Sequence, residues 1–580
     1  MKKVLVIDPG IRFLRGAREH TIEDSHFPRG AMSIATFLRS RGVDTEFLFL
    51  DALRQRSTFG ENVSLIYDTL RGVISGRDYS LIAIGGPFTI QMPLIQMVAE
   101  MARDLSPRSH IALGGVHASF LSERSLEEVS CADSVIRGEA EWTSLELAHR
   151  LAGNLPLEGL EGLTYRDGAM IRINGLRSPG RLEELPMIDY GLIPRRLYNE
   201  VMINLTASRG CAFKCTFCAE QRFWGNRVRI FPVEALVDEI RHVSSLSEKP
   251  IFSIEDSMIS LKSPYFFRFC DALKALPSRD YFISHINSRV DAVCEEGLSA
   301  LRDMGVSRVA FGVESASGKV LKAMNKGITR ADMEKACRMV RDYGVAVATL
   351  WIFGHPGDDP SESEVSIRAL EDFYVSDLQQ VSVISMFIPY PGTPFFHHPD
   401  EFGLTILPER WDLWDRYSLK PVFEDSHYRQ QDLVAACQKA LEVKSTHESL
   451  SIMRHFVKDR MVELPNGWNA LVAPGGLPAI EINIKPFEKL WEDLGVKYHK
   501  GLVGLFFTDD KVMVRMSPLS PPMQEALNTL GSMIVTTLGG FRLRQDDQLL
   551  ITGTNRNHLN GFALCEVLLA LSRDLAGPGM

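Results

Sequence analysis

The stretch Ser208-Arg209-Gly210-Cys211-Ala212-Phe213-Lys214-Cys215-Thr216-Phe217-Cys218 sets three cysteines at C-x3-C-x2-C spacing, with an aromatic residue directly before the third. Three thiolates are one fewer than a closed structural zinc site or an ordinary cubane requires. A [4Fe–4S] cluster held this way keeps one iron open to a ligand that is not cysteine, and chemistry can happen there. Plainer readings compete. Free cysteine is often a small buried hydrophobe, and an incomplete zinc knuckle uses the same residues. Zinc sites, however, pair C-x2-C units or add histidines at ligand spacing. The nearest histidine here is His242.

Working outward, the chain from about 198 to 420 repeats strand then helix. Apolar runs at 203–206, 251–254, 281–286, 308–311, 346–353 and 381–388 predict strands. Amphipathic stretches at 232–243, 265–276, 295–304, 330–343 and 361–374 predict helices, the first opened by Pro232 at its N1 position. Six such units make a partial (β/α)6 barrel, with functional loops after the strands. The cysteines follow the first strand.

Residues 1 to about 150 alternate in the same way, with strands expected at 4–7, 45–50, 81–85 and 111–114 and helices at 31–41 and 94–105. This pattern gives a doubly wound, Rossmann-like parallel sheet. Ligands on such sheets bind at the carboxyl ends of the strands. Gly85-Gly86 and Gly114-Gly115 stand at two of those ends, where glycine lets a ligand or another backbone approach closely; tight turns explain them equally well.

The cysteine stretch resembles the signature of the radical S-adenosylmethionine superfamily. The phrases Ser253-Ile254-Glu255-Asp256-Ser257, Ser288-Arg289-Val290-Asp291, Phe311-Gly312-Val313-Glu314-Ser315, Met324-Asn325-Lys326-Gly327, Gly354-His355-Pro356-Gly357 and Pro389-Tyr390-Pro391-Gly392-Thr393-Pro394 match that family strand by strand. The first part resembles the cobalamin-binding domain of the cobalamin-dependent branch, through Gly114-Gly115-Val116-His117-Ala118-Ser119, Val135-Ile136-Arg137-Gly138-Glu139-Ala140-Glu141, Gly162-Leu163-Thr164-Tyr165-Arg166 and Leu182-Glu183-Glu184-Leu185-Pro186.

The resemblance implies a [4Fe–4S] cluster on Cys211, Cys215 and Cys218, with S-adenosylmethionine on its open iron and cobalamin in the first domain. It implies Phe217 near the adenine, Glu255 and Asp256 at the methionyl amine, and Arg289 at the carboxylate, although Arg289 can instead pair with Asp291. Glu314 and Ser315 are expected at the ribose or methionyl end. Gly85, Gly86, Gly114, Gly115 and His117 are expected around cobalamin, and Glu139 and Glu141 as a polar clamp on its tail. No Asp-x-His-x-x-Gly loop occurs in the first part, so the cobalt's lower ligand is expected to be water, another side chain or nothing. The implied reaction is radical methyl transfer through cobalt to an unactivated carbon. The same cofactors also support oxidative cyclisation or ring rearrangement, and a cobalamin sensor with a structural cluster is a more distant reading.

Composition narrows the partners. A net charge of −9 over 580 residues argues against a nucleic-acid surface. The longest apolar runs are strand-length, too short to span a bilayer. Clustered cysteines suit a reducing cytoplasm rather than a disulfide framework. The basic residues around the cysteines, Arg209, Lys214, Arg222, Arg227 and Arg229, are candidates for an acidic substrate or an electron donor such as flavodoxin or ferredoxin. The substrate itself, a small molecule or a peptide, is not named by any motif. The expected organisation is a cobalamin domain at 1–150, a linker at 151–197, the barrel at 198–420 and a substrate-capping α+β domain at 421–580. That last part opens with an amphipathic helix at 430–455 and includes strands at 502–508 and 511–516 and helices at 523–530 and 561–571. Trp411, Trp414, Trp468 and Trp491 are expected mostly in packing roles.

Overall fold

Val4, Leu5, Val6 and Ile7 are almost fully buried in β1 (Lys3–Asp8), which is apolar on both faces because helices cover both. The computed structural model describes residues 3–11, 27–53, 59–200, 202–225, 227–247, 250–276, 281–407 and 410–457, and seven strands beyond them. After β1 come α1 (Arg29–Ser40), β2 (Thr45–Phe49), α2 (Phe59–Ile74), β3 (Tyr79–Gly85), α3 (Met92–Leu105), β4 (His110–Gly114), β5 (Ser134–Ile136), α4 (Ala140–Ala152), β6 (Leu163–Asp167) and β7 (Met170–Ile173). The sheet runs β2-β1-β3-β4-β5-β6-β7. Its first five strands are parallel, the doubly wound arrangement expected. The order reverses between β1 and β3, where such sheets bind ligands.

The sheet does not stop at residue 150. β6 pairs with β5 and β7 with β6, both antiparallel, so the stretch expected as a linker supplies two strands. The signal of β7 is weak in sequence because Met170 and Ile173 lie exposed on an edge strand, whereas Leu163, Thr164 and Tyr165 of β6 are buried.

The barrel contains β8 (Ile203–Leu205), a small ribbon of β9 (Ser208–Arg209) and β10 (Arg229–Ile230), α5 (Val233–Leu246), β11 (Ile251–Ile254), α6 (Pro264–Lys274), β12 (Phe282–Ser288), α7 (Glu295–Asp303), β13 (Val306–Glu314), α8 (Arg330–Asp342), β14 (Ala346–Phe353), α9 (Pro360–Val375) and β15 (Val381–Met386). The six main strands are parallel, in the order β15-β14-β13-β12-β11-β8. Pro232 is the N-cap of α5, with extended ψ, one position earlier than its expected N1 place.

A short ribbon of β16 (Leu404–Ile406) and β17 (Phe423–Asp425) leads to α10 (Gln430–Val457). This helix, expected to open a separate C-terminal unit, packs on the barrel, against α9, β14 and β15. Leu433, Cys437 and Ala440 join the common core. Lys444 Nζ donates to Ser382 O at 2.7 Å and Ser382 N to Glu448 at 2.8 Å. β15 is an edge strand, and α10 covers it as the sixth barrel helix, so the barrel runs past residue 420.

The remaining described strands are β18 (Met461–Glu463), β19 (Asn469–Leu471), β20 (Ile480–Ile482), β21 (Val503–Phe507), β22 (Lys511–Met516), β23 (Arg542–Gln545) and β24 (Leu549–Thr554), which share one sheet. The strands expected at 502–508 and 511–516 are β21 and β22, paired antiparallel. The helices expected at 523–530 and 561–571, and Trp468 and Trp491, lie outside the described residues. No helix among the described residues is long and apolar enough to cross a membrane.

Candidate active site

A cavity of about 1810 Å³ is bounded by both sheets' domains. Its wall includes the cysteine loop and the barrel lumen. It also includes Arg29 and Ser33 of α1, Phe88 and Ile90 after β3, and the segment 412–420 that follows the barrel strands. Single small-molecule pockets run to about 300–1,000 Å³, so this one has room for more than one small ligand.

The cysteine loop is pinned from behind. Thr216 N donates to Met324 O at 3.0 Å, Asn325 Nδ2 to Lys214 O at 2.9 Å, and Thr216 Oγ1 to Ala323 O at 3.1 Å. The 324–327 phrase therefore holds the loop through the Met324 carbonyl and the Asn325 side chain, with Asn325 and Gly327 both left-handed. Cys211, Cys215 and Cys218 share the cavity wall, close enough for their thiols to act on each other electrostatically. Burial pushes the Cys218 thiol up to about 12. It also raises Cys215, against the pull of Lys326 and Arg289. Such thiols hold protons until a metal displaces them. Among the described residues no three His, Cys, Asp or Glu side chains converge on one ion, as a zinc site would need. Cubane ligands sit on separate irons, and the donor set fits that arrangement.

Phe217, Glu255, Asp256, Arg289 and Glu314 all line this cavity. Glu255 meets His285 Nε2 at 2.9 Å. Burial opposes its charge, but the bonds from His285, Ser253 and Asn287 hold the carboxyl down to about 2. Its neighbour moves the other way. Asp256 accepts from Ala207 N at 2.6 Å and Ser208 Oγ at 2.5 Å, so it ties the end of β11 to the start of the cysteine loop, and burial raises it to about 6. Arg289 is held by Asp291 at 3.0 and 3.1 Å and donates to Lys326 O at 2.8 Å. Its guanidinium lies 3.7 Å from the centre of the Phe213 ring.

Glu314 has φ +64, a left-handed conformation costly for a residue with a Cβ, at a register shift between β13 and β14. Lys326 Nζ reaches Glu314 Oε1 at 2.9 Å and stands 5.7 Å from the Phe217 ring centre. A Cβ on Gly312 would lie 2.4 Å from Glu314 Oε1, so that glycine makes room for the pair. Ser315 is not on the cavity wall; it bonds Ser366 at 2.9 Å and Ser317 N at 3.1 Å, fixing the turn after β13.

The glycine pairs do not line the cavity; they lock strand ends together. A Cβ on Gly85 would lie 2.8 Å from Gly114 O, and one on Gly115, at φ +103, only 2.0 Å from Gly86 O. His117 is buried too. Its Nδ1 is 3.3 Å from Thr89 Oγ1, Nε2 has no partner, and the ring meets Trp411 edge-on at 4.6 Å. Trp411 donates to Glu128 at 2.8 Å, so Trp411 packs between domains, and Trp414 is buried beside it at 5.0 Å. Glu139 and Glu141, expected at a cofactor tail, are occupied by arginines of the barrel. Arg209 reaches both, at 2.9 and 2.6 Å, and Arg229 pairs with Glu139. These two members of the basic group around the cysteines are thereby neutralised inside the protein.

Sequence reading missed Lys326 and His285 as site residues. Lys326 stood in a quoted phrase, and His285 alternates inward with Asn287 along β12; neither spacing reveals the carboxylate each meets.

Residues 205–370 match the radical SAM superfamily and residues 19–148 the B12 binding domain. An uncharacterized methyltransferase of Pyrococcus horikoshii is 26% identical over 451 residues, covering 76% of this chain and 91% of its own. An anaerobic magnesium-protoporphyrin IX monomethyl ester cyclase of Cereibacter sphaeroides is 26% identical over 51% of this chain and 49% of its own. Among solved structures, the radical S-adenosylmethionine methyltransferase TsrM of Kitasatospora setae, with cobalamin and a [4Fe-4S] cluster bound, has a TM-score of 0.58 at 17% identity, covering 71% of this chain and 81% of its own. The cobalamin-dependent S-adenosylmethionine radical enzyme OxsB, with aqua-cobalamin and S-adenosylmethionine bound, has a TM-score of 0.60 at 16% identity, covering 80% of this chain and 69% of its own. The chain is a cobalamin-dependent radical S-adenosylmethionine enzyme, and its cofactors are a [4Fe–4S] cluster, S-adenosylmethionine and cobalamin.

Proposed function

We propose that this enzyme transfers a methyl group by way of cobalamin to an unactivated carbon of a small-molecule or peptide substrate. The observation that carries the reading is the single cavity, whose wall joins the three cysteines to first-domain residues Arg29, Ser33, Phe88 and Ile90. When bound, the cofactors supply radical generation from S-adenosylmethionine and a cobalt-borne methyl group. Transfer between them requires proximity in one enclosed space, which that wall provides. The methyltransferase relative, matched over 91% of its length, supports the same reading.

Within the cavity, Cys211, Cys215 and Cys218 are the proposed cluster ligands. Glu255 and Glu314 are acids for the methionyl amine and the ribose, with Lys326 released from Glu314 toward the cofactor carboxylate. Arg289 and Phe213 brace the loop. Electrons come from a flavodoxin- or ferredoxin-type donor in a reducing cytoplasm, where the five described cysteines outside the cluster loop, Cys131, Cys270, Cys294, Cys337 and Cys437, remain thiols.

A second reading, oxidative cyclisation, is favoured by the cyclase relative. Anaerobic reconstitution with cluster, cobalamin, reductant and S-adenosylmethionine separates the two by product. Methyl transfer yields S-adenosylhomocysteine together with 5′-deoxyadenosine, and the former disappears when cobalamin is omitted. Deoxyadenosine alone moves the assignment to cyclisation or rearrangement.

A further inference from the structure

Arg209 stands two residues before Cys211 and ends in a closed ion network with the first domain. Its Nη1 and Nη2 donate to Glu139 at 2.9 Å and Glu141 at 2.6 Å, and Ser33 Oγ adds a bond to the same Glu141 oxygen at 2.7 Å. Arg229, paired with Arg209 across β9 and β10, completes two positive and two negative charges. All are mostly buried, Arg209, Glu139 and Glu141 at 11%, 7% and 4% side-chain exposure.

Each end of this network is tied to a site. Glu139 caps α4. One residue earlier, Gly138 N donates to Ser119 Oγ at 2.9 Å, which donates to Gly115 O at 2.7 Å. Gly115 in turn packs on Gly86 at the ends of β4 and β3, the ligand edge of the first sheet. At the other end, Gly210 leaves Arg209 at φ +100, with Arg227 O 2.4 Å from where a Cβ would stand. A movement of the α4 start strands buried carboxylates unless Arg209 follows. If Arg209 follows, Gly210 carries the movement to Cys211.

We propose that Arg209 is a positioning residue that couples cobalamin occupancy of the first domain to the geometry of the cysteine loop. Cluster and cobalamin then alter each other's binding by the same factor, as linkage requires. The inference rests on the cofactor pair and is independent of methyl transfer.

The test is titration of hydroxocobalamin into the full chain, with and without its reconstituted [4Fe–4S] cluster, read as Kd. In the wild type, the cluster changes that Kd by about fivefold or more. R209Q and E141Q bring the ratio close to one while cobalamin still binds, and R209K, whose single ammonium cannot hold both carboxylates, falls between. Should R209Q fail to take up iron, E141Q and R209K carry the comparison. A wild-type ratio of one, or an unchanged ratio in R209Q and E141Q, overturns the relay alone. No cobalamin binding at all overturns the cofactor assignment with it.

Discussion

Lys326 Nζ lies 2.9 Å from Glu314 Oε1, joining the end of β13 to the segment that pins the cysteine loop. Both side chains are less than a tenth exposed. Removing one partner of such a pair costs about 3–5 kcal/mol, whereas replacing both is often near neutral. K326M is therefore expected to lower the denaturation free energy of the cluster-free protein by that order, and K326M/E314Q to recover most of it. Both variants are expected to bind S-adenosylmethionine more weakly in the loaded enzyme. Urea unfolding and a binding titration check the two halves separately; equal losses in single and double variants would contradict the pairing.

The adjacent acids Glu255 and Asp256 are displaced in opposite directions from the ordinary carboxylate range. Asp256 is raised by burial from 3.8 to about 6, so between those values the native state holds a proton the unfolded state has released. Stability from this group is greatest below pH 3.8 and falls as pH rises to 6, by about 3 kcal/mol at 1.36 kcal/mol per unit. Glu255, lowered from 4.5 to about 2, contributes stability above pH 4.5 that is lost as pH falls toward 2. D256N should flatten the unfolding free energy between pH 4 and 6, while E255Q should flatten it only below 4.5. Unfolding curves of the cluster-free protein across pH 3 to 7 decide this.

Gly115 has φ +103 and ψ 178, a region open essentially to glycine alone, and its missing Cβ would strike the Gly86 backbone. At Gly86 the obstacle is the Gln91 side chain, 2.3 Å away, which is fully buried, accepts from Phe88 N and donates to Gly10 O. G115A is expected to destabilise by about 2 kcal/mol or more and to weaken cobalamin binding. G86A should destabilise as well, by displacing these two bonds of the buried Gln91 side chain. Thermal unfolding of both variants checks this, and a wild-type melting temperature in either would contradict it.

His117 leaves Nε2 buried without a partner and its ring on Trp411. An unsatisfied buried group of this kind costs about 1–3 kcal/mol. H117F should be at least as stable as the wild type and keep its cobalamin affinity. A marked loss of cobalamin affinity would contradict this and assign His117 to the cofactor.

The barrel was legible because its strand–helix alternation is strong: the expected runs 251–254 and 346–353 coincide with β11 and β14. The cysteine loop and the strand-end acids at 255 and 314 were legible from phrases. What a side chain meets across the fold was not. Glu139 and Glu141 read as solvent-facing or cofactor-facing acids until Arg209, some 70 residues on, was seen to occupy them. The period of α10 showed an apolar face but not that β15 lies beneath it; β7 is too exposed to announce itself, and β6, though buried at Leu163, Thr164 and Tyr165, stood only within a quoted phrase.

The central claim is that cluster and cobalamin share one cavity. Electron paramagnetic resonance of the loaded enzyme, with cobalt(II) present and the cluster taken from its oxidised to its reduced state, tests it most directly. Reduction of the cluster is predicted to broaden or split the cobalt signal through spin–spin interaction. A spectrum that is the plain sum of the two isolated signals would contradict the account.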